Sequence, residues 1–173
     1  MTDKKEKILQ AALRLFANEG FYSTSTSKIA KQAGVSEGLI FRHFSNKDGL
    51  LKAILEEGET KLKILFYDVI TETDPKQTIR KAIEMPGNVD KKDYDFWKLQ
   101  YKLKWELEIN HDKKMEPFHL ALTNAFQKLG YESPETEASI IILFIDGLAS
   151  YVLKGSNINT DKMIRIFLKK YNV

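Results

Sequence analysis

Apolar residues recur along most of this chain every three to four positions, which is the period of an α-helix. No alternating apolar and polar run of the kind that predicts a strand competes with this pattern. The expected fold class is therefore all-α. With Ser, Asp, Gly and Pro marking the ends, the pattern predicts helices over 4–18, 26–33, 37–43, 46–71, from Pro75 up to a loop at 85–93, and over 94–110, 117–129, 134–153 and 160–171.

The segment around Gly34 predicts two short helices joined by a tight turn. Ser25 is placed to cap the first helix, Gly34 to end it, and Ser36 to cap the second. Ser45 is expected to cap the long helix that follows. Such a pair is a helix-turn-helix, which needs the apolar faces of neighbouring helices, including 4–18, to bury its own.

Charge favours a nucleic-acid partner for the first third of the chain. Residues 1–52 hold nine Lys/Arg and five Asp/Glu, whereas the rest holds 18 and 19. The absence of cysteine excludes disulfides, thiolate metal ligands and a cysteine nucleophile. The N-terminus has no apolar core of a signal peptide, and the apolar run 140–153, interrupted by Asp146, is shorter than the roughly 20 residues of a membrane helix. We expect a soluble, cytoplasmic protein with no membrane partner.

The second short helix is the candidate recognition helix. Ile40 and Phe44 are expected to anchor it on the core, and its N-terminus offers backbone N–H groups and a positive dipole end to phosphate. Gly38 permits close backbone approach to DNA. Lys47 lies at a helix start, where a cation is unfavourable, so we expect it to meet an external anion such as DNA phosphate. The outer side should carry Glu37, Leu39, His43 and Arg42, which can bind phosphate or a guanine edge.

Residues 8–51, ILQAALRLFANEGFYSTSTSKIAKQAGVSEGLIFRHFSNKDGLL, resemble the DNA-binding domain of TetR-family transcriptional regulators. The resemblance rests on AALRLFANEGF, IAKQAGVS, the small Gly38, the aromatic FRHF and Lys47 with the residues after it. It implies a three-helix DNA-binding domain over 1–51, with phosphate held at Ser25 and Thr26, residues 36–43 in the major groove, and Lys47 clamping the backbone. The expected DNA-binding residues are Ser25, Thr26, Ser36, Glu37, Gly38, Leu39, Arg42, His43 and Lys47.

Three positions depart from the family pattern. Leu39, Phe41 and His43 stand where family members often carry hydroxyl groups. Leu39 could contact a thymine methyl group instead, and Phe41 is expected to pack in the core rather than to intercalate. The operator sequence therefore does not transfer from the family.

For residues 52–173, the resemblance implies a helical effector-binding and dimerisation domain. The whole chain would be a ligand-responsive regulator, with repression as the expected mode, that binds a palindromic double-stranded operator as a homodimer. An ordinary monomer core is the alternative for the last two long helices. The expected dimer residues are Ile141, Phe144, Ile145, Leu148, Tyr151, Ile164, Phe167 and Leu168.

Aromatic residues at helical spacing are candidates for an effector pocket. Trp97, Tyr101 and Trp105 recur every four residues and would suit a small apolar or aromatic effector. Plain core packing is the alternative. The candidate lining residues are Leu62, Phe66, Trp97, Tyr101, Trp105, Met115, Phe118 and Phe126.

One constellation favours a different class, a helical metal-binding enzyme or carrier. Glu108–His111 and Glu116–His119 both have the Glu-x-x-His spacing of di-metal helical bundles. Both motifs lie within twelve residues, flanked by lysines and separated by Pro117, whereas a di-metal bundle places them on different helices. We therefore expect a regulator rather than an enzyme, with no metal and no cofactor.

Overall fold

The computed structural model describes residues 3–106 and 112–173, with the side chains of residues 3–103 and 115–173. Within these ranges the chain is helical and contains no strand, so the all-α prediction is confirmed. Short 3₁₀ turns cover Met85–Asn88 and Lys91–Asp93. The helices are α1 Asp3–Glu19, α2 Thr26–Ala33, α3 Glu37–Phe44, α4 Lys47–Ile70, α5 Pro75–Glu84, α6 Tyr94–Glu106, α7 Asp112–Lys128, α8 Pro134–Leu153 and α9 Thr160–Tyr171.

Side-chain capping fixes several helix starts. The Ser25 hydroxyl accepts the Lys28 N–H at 3.2 Å and caps α2, while Asp74 and Asn159 cap α5 and α9 in the same way. Gly34 ends α2 at φ +67°, a conformation that favours glycine. These ends agree with the sequence expectations for the helix-turn-helix.

The junction between α3 and α4 differs from expectation. Ser45 does not cap α4; it ends α3 at φ +66°, and its N–H donates to the Phe41 carbonyl at 2.9 Å. Asn46 caps α4 instead, because its Oδ1 accepts the Gly49 N–H at 2.7 Å. Gly49 makes the junction possible, since a Cβ there would lie 2.0 Å from the Phe44 carbonyl oxygen.

The start of α7 also differs from the prediction. Helix α7 begins at Asp112, ahead of the predicted start near residue 117, so Pro117 lies inside the helix. Pro117 is the sixth residue of this helix, beyond the first turn, so its missing N–H removes one intrahelical hydrogen bond. The predicted end of the preceding helix at residue 110 lies outside the described residues.

The described chain divides into two compact units. Unit 1 comprises residues 3–62 and 91–106, and unit 2 comprises residues 63–90 and 112–173. The division falls inside α4 and assigns α6 to the N-terminal helices. The boundary of a DNA-binding domain at residue 51 remains a prediction.

Unit 1 is built on α1, which packs against α2 and α6, while α2 packs against α3. Helix α6 buries Phe96, Leu99 and Leu103, and Gly58 of α4 leaves room for the Phe96 ring. A Cβ at Gly58 would lie 1.9 Å from that ring. The remaining core is mainly Ile8, Leu9, Ala12, Leu15, Phe16, Phe21, Ile29, Ile40, Phe44, Leu50, Leu51 and Ile54.

Unit 2 packs α5, α7, α8 and α9 around a second core. The Tyr171 hydroxyl donates to Glu137 Oε2 at 2.9 Å, and its ring lies 5.5 Å from the Phe126 ring. Burial, reinforced by the Glu137 carboxylate, raises the pKa of Tyr171 far above its usual range. The core includes Val69, Ile79, Ala82, Ile83, Met85, Phe118, Leu122, Phe126, Ala138, Ile141, Leu148 and Ile164.

Helix α8 is longer than the apolar run alone suggested. It has 20 residues, and an 18-residue apolar window within it has a mean hydropathy of 1.6, so by length and composition it could cross a membrane. Only 22% of this apolar window is buried. One face packs on α7 and on the core. The opposite face carries what we term the α8 stripe, an exposed row of Ile140, Leu143, Gly147 and Tyr151.

Candidate nucleic-acid interface

The turn between α2 and α3 is held by backbone hydrogen bonds. The Gly34 N–H donates to the Ala30 and Lys31 carbonyls, and the Val35 N–H donates to the Ala30 carbonyl at 3.0 Å. Helix α3 then buries Ile40 completely and Phe44 almost completely. These two anchors, four residues apart, leave the opposite face of α3 outside the core.

All nine predicted DNA-binding residues lie in unit 1, on or beside α2, α3 and the start of α4. The exposed ones are Ser25, Ser36, Gly38, Arg42 and His43, and the half-buried ones are Thr26, Glu37, Leu39 and Lys47. Ser36 takes the N-cap position of α3 without a side-chain cap bond. Its hydroxyl therefore stays available to an external group.

Arg42 is an exposed cation in the last turn of α3. Its side chain has no ion pair or side-chain hydrogen bond within the described residues, so its five donors face solvent. Lys28 on α2, in contrast, is paired with Glu19 at 2.5 Å. The exposed Lys31 in the last turn of α2 also has no ion pair within the described residues, so exposed positive charge lies on both helices of the motif.

Phe41 does not join the core, contrary to expectation. Its ring is 47% exposed, because residue 41 is turned about 100° around the helix from the anchor at Ile40. Tyr22, in the loop before α2, is 67% exposed. Sequence reasoning missed both aromatic groups, since neighbouring Phe16, Phe21 and Phe44 are buried as a core should be.

Lys47 has internal partners that the sequence did not reveal. Its ammonium donates to the carbonyls of Phe21 at 3.0 Å and Thr24 at 3.2 Å, and lies 4.4 Å from the Phe21 ring centroid. A cation at the start of α4 is thus stabilised from within unit 1 and needs no external anion. One of its three N–H donors remains for a phosphate, so that contact stays a prediction.

Thr26 and Glu37 join the two helices of the motif. The Thr26 hydroxyl donates to Glu37 Oε1 at 2.5 Å in a partly buried contact. Because a hydroxyl has a single proton, Thr26 cannot donate to phosphate while this bond persists. Its predicted phosphate contact would have to use the backbone N–H of Thr26, which lies in the first turn of α2.

The candidate pocket residues fall in both units. Unit 1 contains Leu62 with the half-buried Trp97 and Tyr101, whereas the side chain of Trp105 lies outside the described ones. In unit 2, Phe118 and Phe126 are fully buried, and Phe66 and Met115 pack at the edge of the same core. The Phe66 and Phe118 ring centroids are 4.9 Å apart, so these two aromatics touch each other.

A small depression in unit 2 is lined by residues outside the predicted pocket set, and Glu72 is one of them. Lys81 beside Glu72, with Nζ 2.5 Å from Oε2, lowers the pKa of that carboxyl to about 2. The depression contains none of the eight predicted lining residues. Its walls are Ile70, Glu72, Thr73, Pro75, Thr78, Ala121, Asn124, Ala125 and Lys128.

The predicted dimer residues divide between core and surface. Ile141, Leu148 and Ile164 are buried inside unit 2, so they cannot meet a second subunit. Phe144 stacks on Phe167 at 3.6 Å, and these two with Ile145 and Leu168 are half-buried. Tyr151 is exposed. Other exposed apolar residues on these helices, which the prediction did not include, are Ile140 and Leu143 on α8 and Met163 and Ile166 on α9.

Within the described residues, the Glu-x-x-His motifs do not form a metal site. Glu108 and His111 lie outside the described residues, and Glu116 is exposed. His119 contacts the hydroxyls of Ser139 at 3.3 Å and Thr123 at 3.5 Å. In the part of the chain that the structure describes, no group of three His, Asp or Glu side chains could hold a metal ion.

Comparison with known protein families assigns the N-terminal segment. Residues 8–54 match the family described as bacterial regulatory proteins, tetR family. An HTH-type transcriptional repressor of Mycobacterium tuberculosis is 42% identical over 82 residues, covering 47% of this chain and 42% of that protein. An uncharacterized HTH-type transcriptional regulator of Bacillus subtilis is 34% identical over 87 residues, covering 48% and 30%. The chain therefore spans less than half the length of these curated relatives.

Solved structures resemble the chain over nearly its whole length. A transcriptional regulator of the TerR/AcrR family from Aquifex aeolicus has a TM-score of 0.68 at 25% identity and covers 97% of this chain and 99% of its own. A putative transcriptional regulator from Saccharomonospora viridis, solved with choline, has a TM-score of 0.74 at 20% identity and covers 98% and 97%. At 20% identity, the likeness to the Saccharomonospora viridis protein concerns the fold alone.

Proposed function

This chain belongs, through residues 8–54, to the TetR family of bacterial regulatory proteins, and from that premise we propose that it is a dimeric, ligand-responsive transcriptional regulator. Each subunit places α3 in the major groove of one half of a palindromic operator. Binding represses transcription in the cytoplasm, and a small effector releases the operator. The proteins that match are named as transcriptional regulators, and the metal-enzyme alternative has no comparable support.

The exposed face of α3 is the observation that carries the proposal. Ile40 and Phe44 bind the helix to unit 1, and Gly38, Arg42 and His43 face outward. At Gly38 a Cβ would meet nothing within 4 Å, so packing within the chain does not require a glycine at this position. Its absent side chain is explained if DNA approaches the backbone there.

An experiment on Arg42 tests the proposal. Operators are first selected from random duplexes with the full chain, and affinity is then measured by fluorescence anisotropy over a range of salt. If each Arg42 binds a phosphate, Arg42→Ala should weaken binding and reduce the slope of log K against log salt by about 2 per dimer, roughly 0.9 for each lost contact.

Lys52→Ala is the matched control, because Lys52 lies exposed on α4 beside Glu56 at 3.8 Å and off the α3 face. It should leave the slope nearly unchanged. Failure of the chain to select any duplex contradicts DNA binding itself. Equal slopes for Arg42→Ala and wild type contradict only the phosphate contact of Arg42, which could then bind a base edge.

The α8 stripe supports the homodimer. Ile140, Leu143, Gly147 and Tyr151 follow one another at three- and four-residue intervals on a helix whose other face is already buried. Gly147 has open space around it, which would allow close approach of a second helix. Pairing of two such faces by two-fold symmetry would give the dimer two α3 helices, and a palindromic operator requires these to lie about one DNA turn apart.

The effector acts in this scheme by shifting populations. The dimer samples more than one spacing of its α3 helices, and a ligand that binds a spacing unsuited to the operator lowers DNA affinity. The aromatic edge of the unit 2 core, with Phe66 and Met115 half-buried, supports an apolar or aromatic effector. Thermal-shift measurements with benzoate, a long-chain fatty acid and choline test this preference. Stabilisation by choline alone would contradict it.

A further inference from the structure

The Thr26–Glu37 hydrogen bond is an unusual feature of an interface built for a polyanion. Glu37 lies in the first turn of α3, half-buried, on the helix expected to enter the groove. A carboxylate is repelled by phosphate, so it cannot serve the backbone contacts that give affinity. Its place on α3 therefore needs another explanation.

The surroundings of Glu37 fix its position without neutralising its charge. Within the described residues its only side-chain partner is the Thr26 hydroxyl, at 2.5 Å from Oε1, and no lysine or arginine pairs with it. Oε2 has no partner among the described residues. A hydroxyl donor orients the carboxylate, and partial burial limits the rotamers that it can adopt.

We infer that Glu37 is a specificity-determining residue that reads a cytosine, and that Thr26 positions it for this contact; the inference rests on the proposed DNA binding by α3. A carboxylate only accepts hydrogen bonds, so it needs a base edge that donates. Guanine offers acceptors in the major groove, and thymine offers an acceptor and a methyl group. Adenine donates from N6, but its N7 acceptor lies beside that group. Cytosine donates from N4 with no acceptor beside it on its own edge.

Site selection with variants of the full chain tests the inference. The wild-type protein should select duplexes with one invariant cytosine in each half-site. Affinity is then measured for four operators that differ only at that base pair. Glu37→Gln keeps the size of the side chain but adds an amide donor, so the cytosine preference should fall by roughly fivefold to a hundredfold, the range of one base contact. Adenine should gain, because Gln pairs with its N6 and N7.

Glu57→Gln is the matched control, since it removes one negative charge from an exposed position on α4 of the same unit. It should change overall affinity through charge alone and leave the base preference intact. If Glu37→Gln behaves like Glu57→Gln, with an unchanged preference at every position, the inference is wrong while the proposed function stands. If the wild-type chain selects no sequence at all, the proposed function itself fails.

Thr26 is tested as a positioning residue through the same preference. Thr26→Val removes the hydroxyl at nearly constant shape and should reduce the cytosine preference, whereas Thr26→Ser should keep it. In the Glu37→Gln background, Thr26→Val should change the preference no further. A purely structural bond between α2 and α3 would instead lower stability and affinity for all four operators equally, and that result would overturn the positioning role.

Discussion

Gly49 and Gly38 are two glycines of adjacent helices for which the structure predicts opposite effects of the same substitution. At Gly49 a Cβ would lie 2.0 Å from the Phe44 carbonyl oxygen and 3.2 Å from its carbon. Both are backbone atoms, so no side-chain rotation can relieve the overlap. The start of α4 would have to move by about 1 Å, and overpacking of this kind costs roughly 1–3 kcal/mol.

The helix propensity of alanine offsets part of this cost. Alanine is favoured over glycine by about 0.8–1 kcal/mol in a helix interior, and by less in a first turn. Gly49→Ala should therefore destabilise the chain by about 1–2 kcal/mol. Gly38→Ala meets nothing within 4 Å and should leave stability unchanged or raise it by up to about 1 kcal/mol. It should still weaken operator binding, because the added methyl group would keep the α3 backbone from DNA.

Urea denaturation followed by far-ultraviolet circular dichroism, at one fixed protein concentration, measures both changes. In a parallel thermal denaturation, each kcal/mol should shift the midpoint by about 2–4 °C for a chain of 173 residues. A Gly49→Ala protein as stable as wild type would refute the reasoning about the α3–α4 junction. A Gly38→Ala protein with lower stability would show that this glycine serves packing, and unchanged operator affinity would remove the argument for close approach.

Two further predictions concern unit 2. Leu143→Lys should raise the dimer dissociation constant by roughly tenfold or more, because two-fold symmetry brings like charges together. Gln77→Lys, at an exposed position of α5, is the control and should leave the dissociation constant unchanged. Sedimentation velocity measures both, and a Leu143→Lys dimer as stable as wild type would exclude the α8 stripe as the dimer interface. Tyr171→Phe should cost about 1 kcal/mol through its lost bond to Glu137. Since folding raises the pKa of Tyr171, the wild type should lose stability as pH rises above about 10, and the variant should lack this component. If the urea midpoints of the wild type and of Tyr171→Phe depend equally on pH, the prediction for Tyr171 is wrong.

Local chemistry made the helix-turn-helix predictable from sequence. The Ser25 cap and the left-handed Gly34 depend on neighbours within four residues, so sequence spacing suffices to place them. Ser45 and Asn46 are both capable caps, and the choice between them depends on how closely α4 approaches the end of α3. That approach is a tertiary property, which spacing alone does not specify.

The orientation of apolar helices was less predictable. Helix α8 is apolar almost all round, so its period identifies a helix but not the face that meets the core. Ile141 and Leu148 are buried. The sequence feature that could have marked the exposed face is the row of large side chains on either side of Gly147. In α6, likewise, Phe96 and Leu99 occupy the core while Trp97 lies at its edge, because two apolar rows compete on one helix.

The internal bonds of Lys47 bear on how an effector could release DNA. Lys47 fastens the first turn of α4 to the carbonyls of Phe21 and Thr24, just ahead of α2, while Asn46 caps α4 directly behind α3. These bonds couple this end of α4 to the loop before α2, so a tilt of α4 would be transmitted to that loop. If the helix-turn-helix moves with the loop as a unit, the induction proposed above would alter the distance between the two motifs of the dimer, and each isolated half-site should keep its affinity when the effector binds.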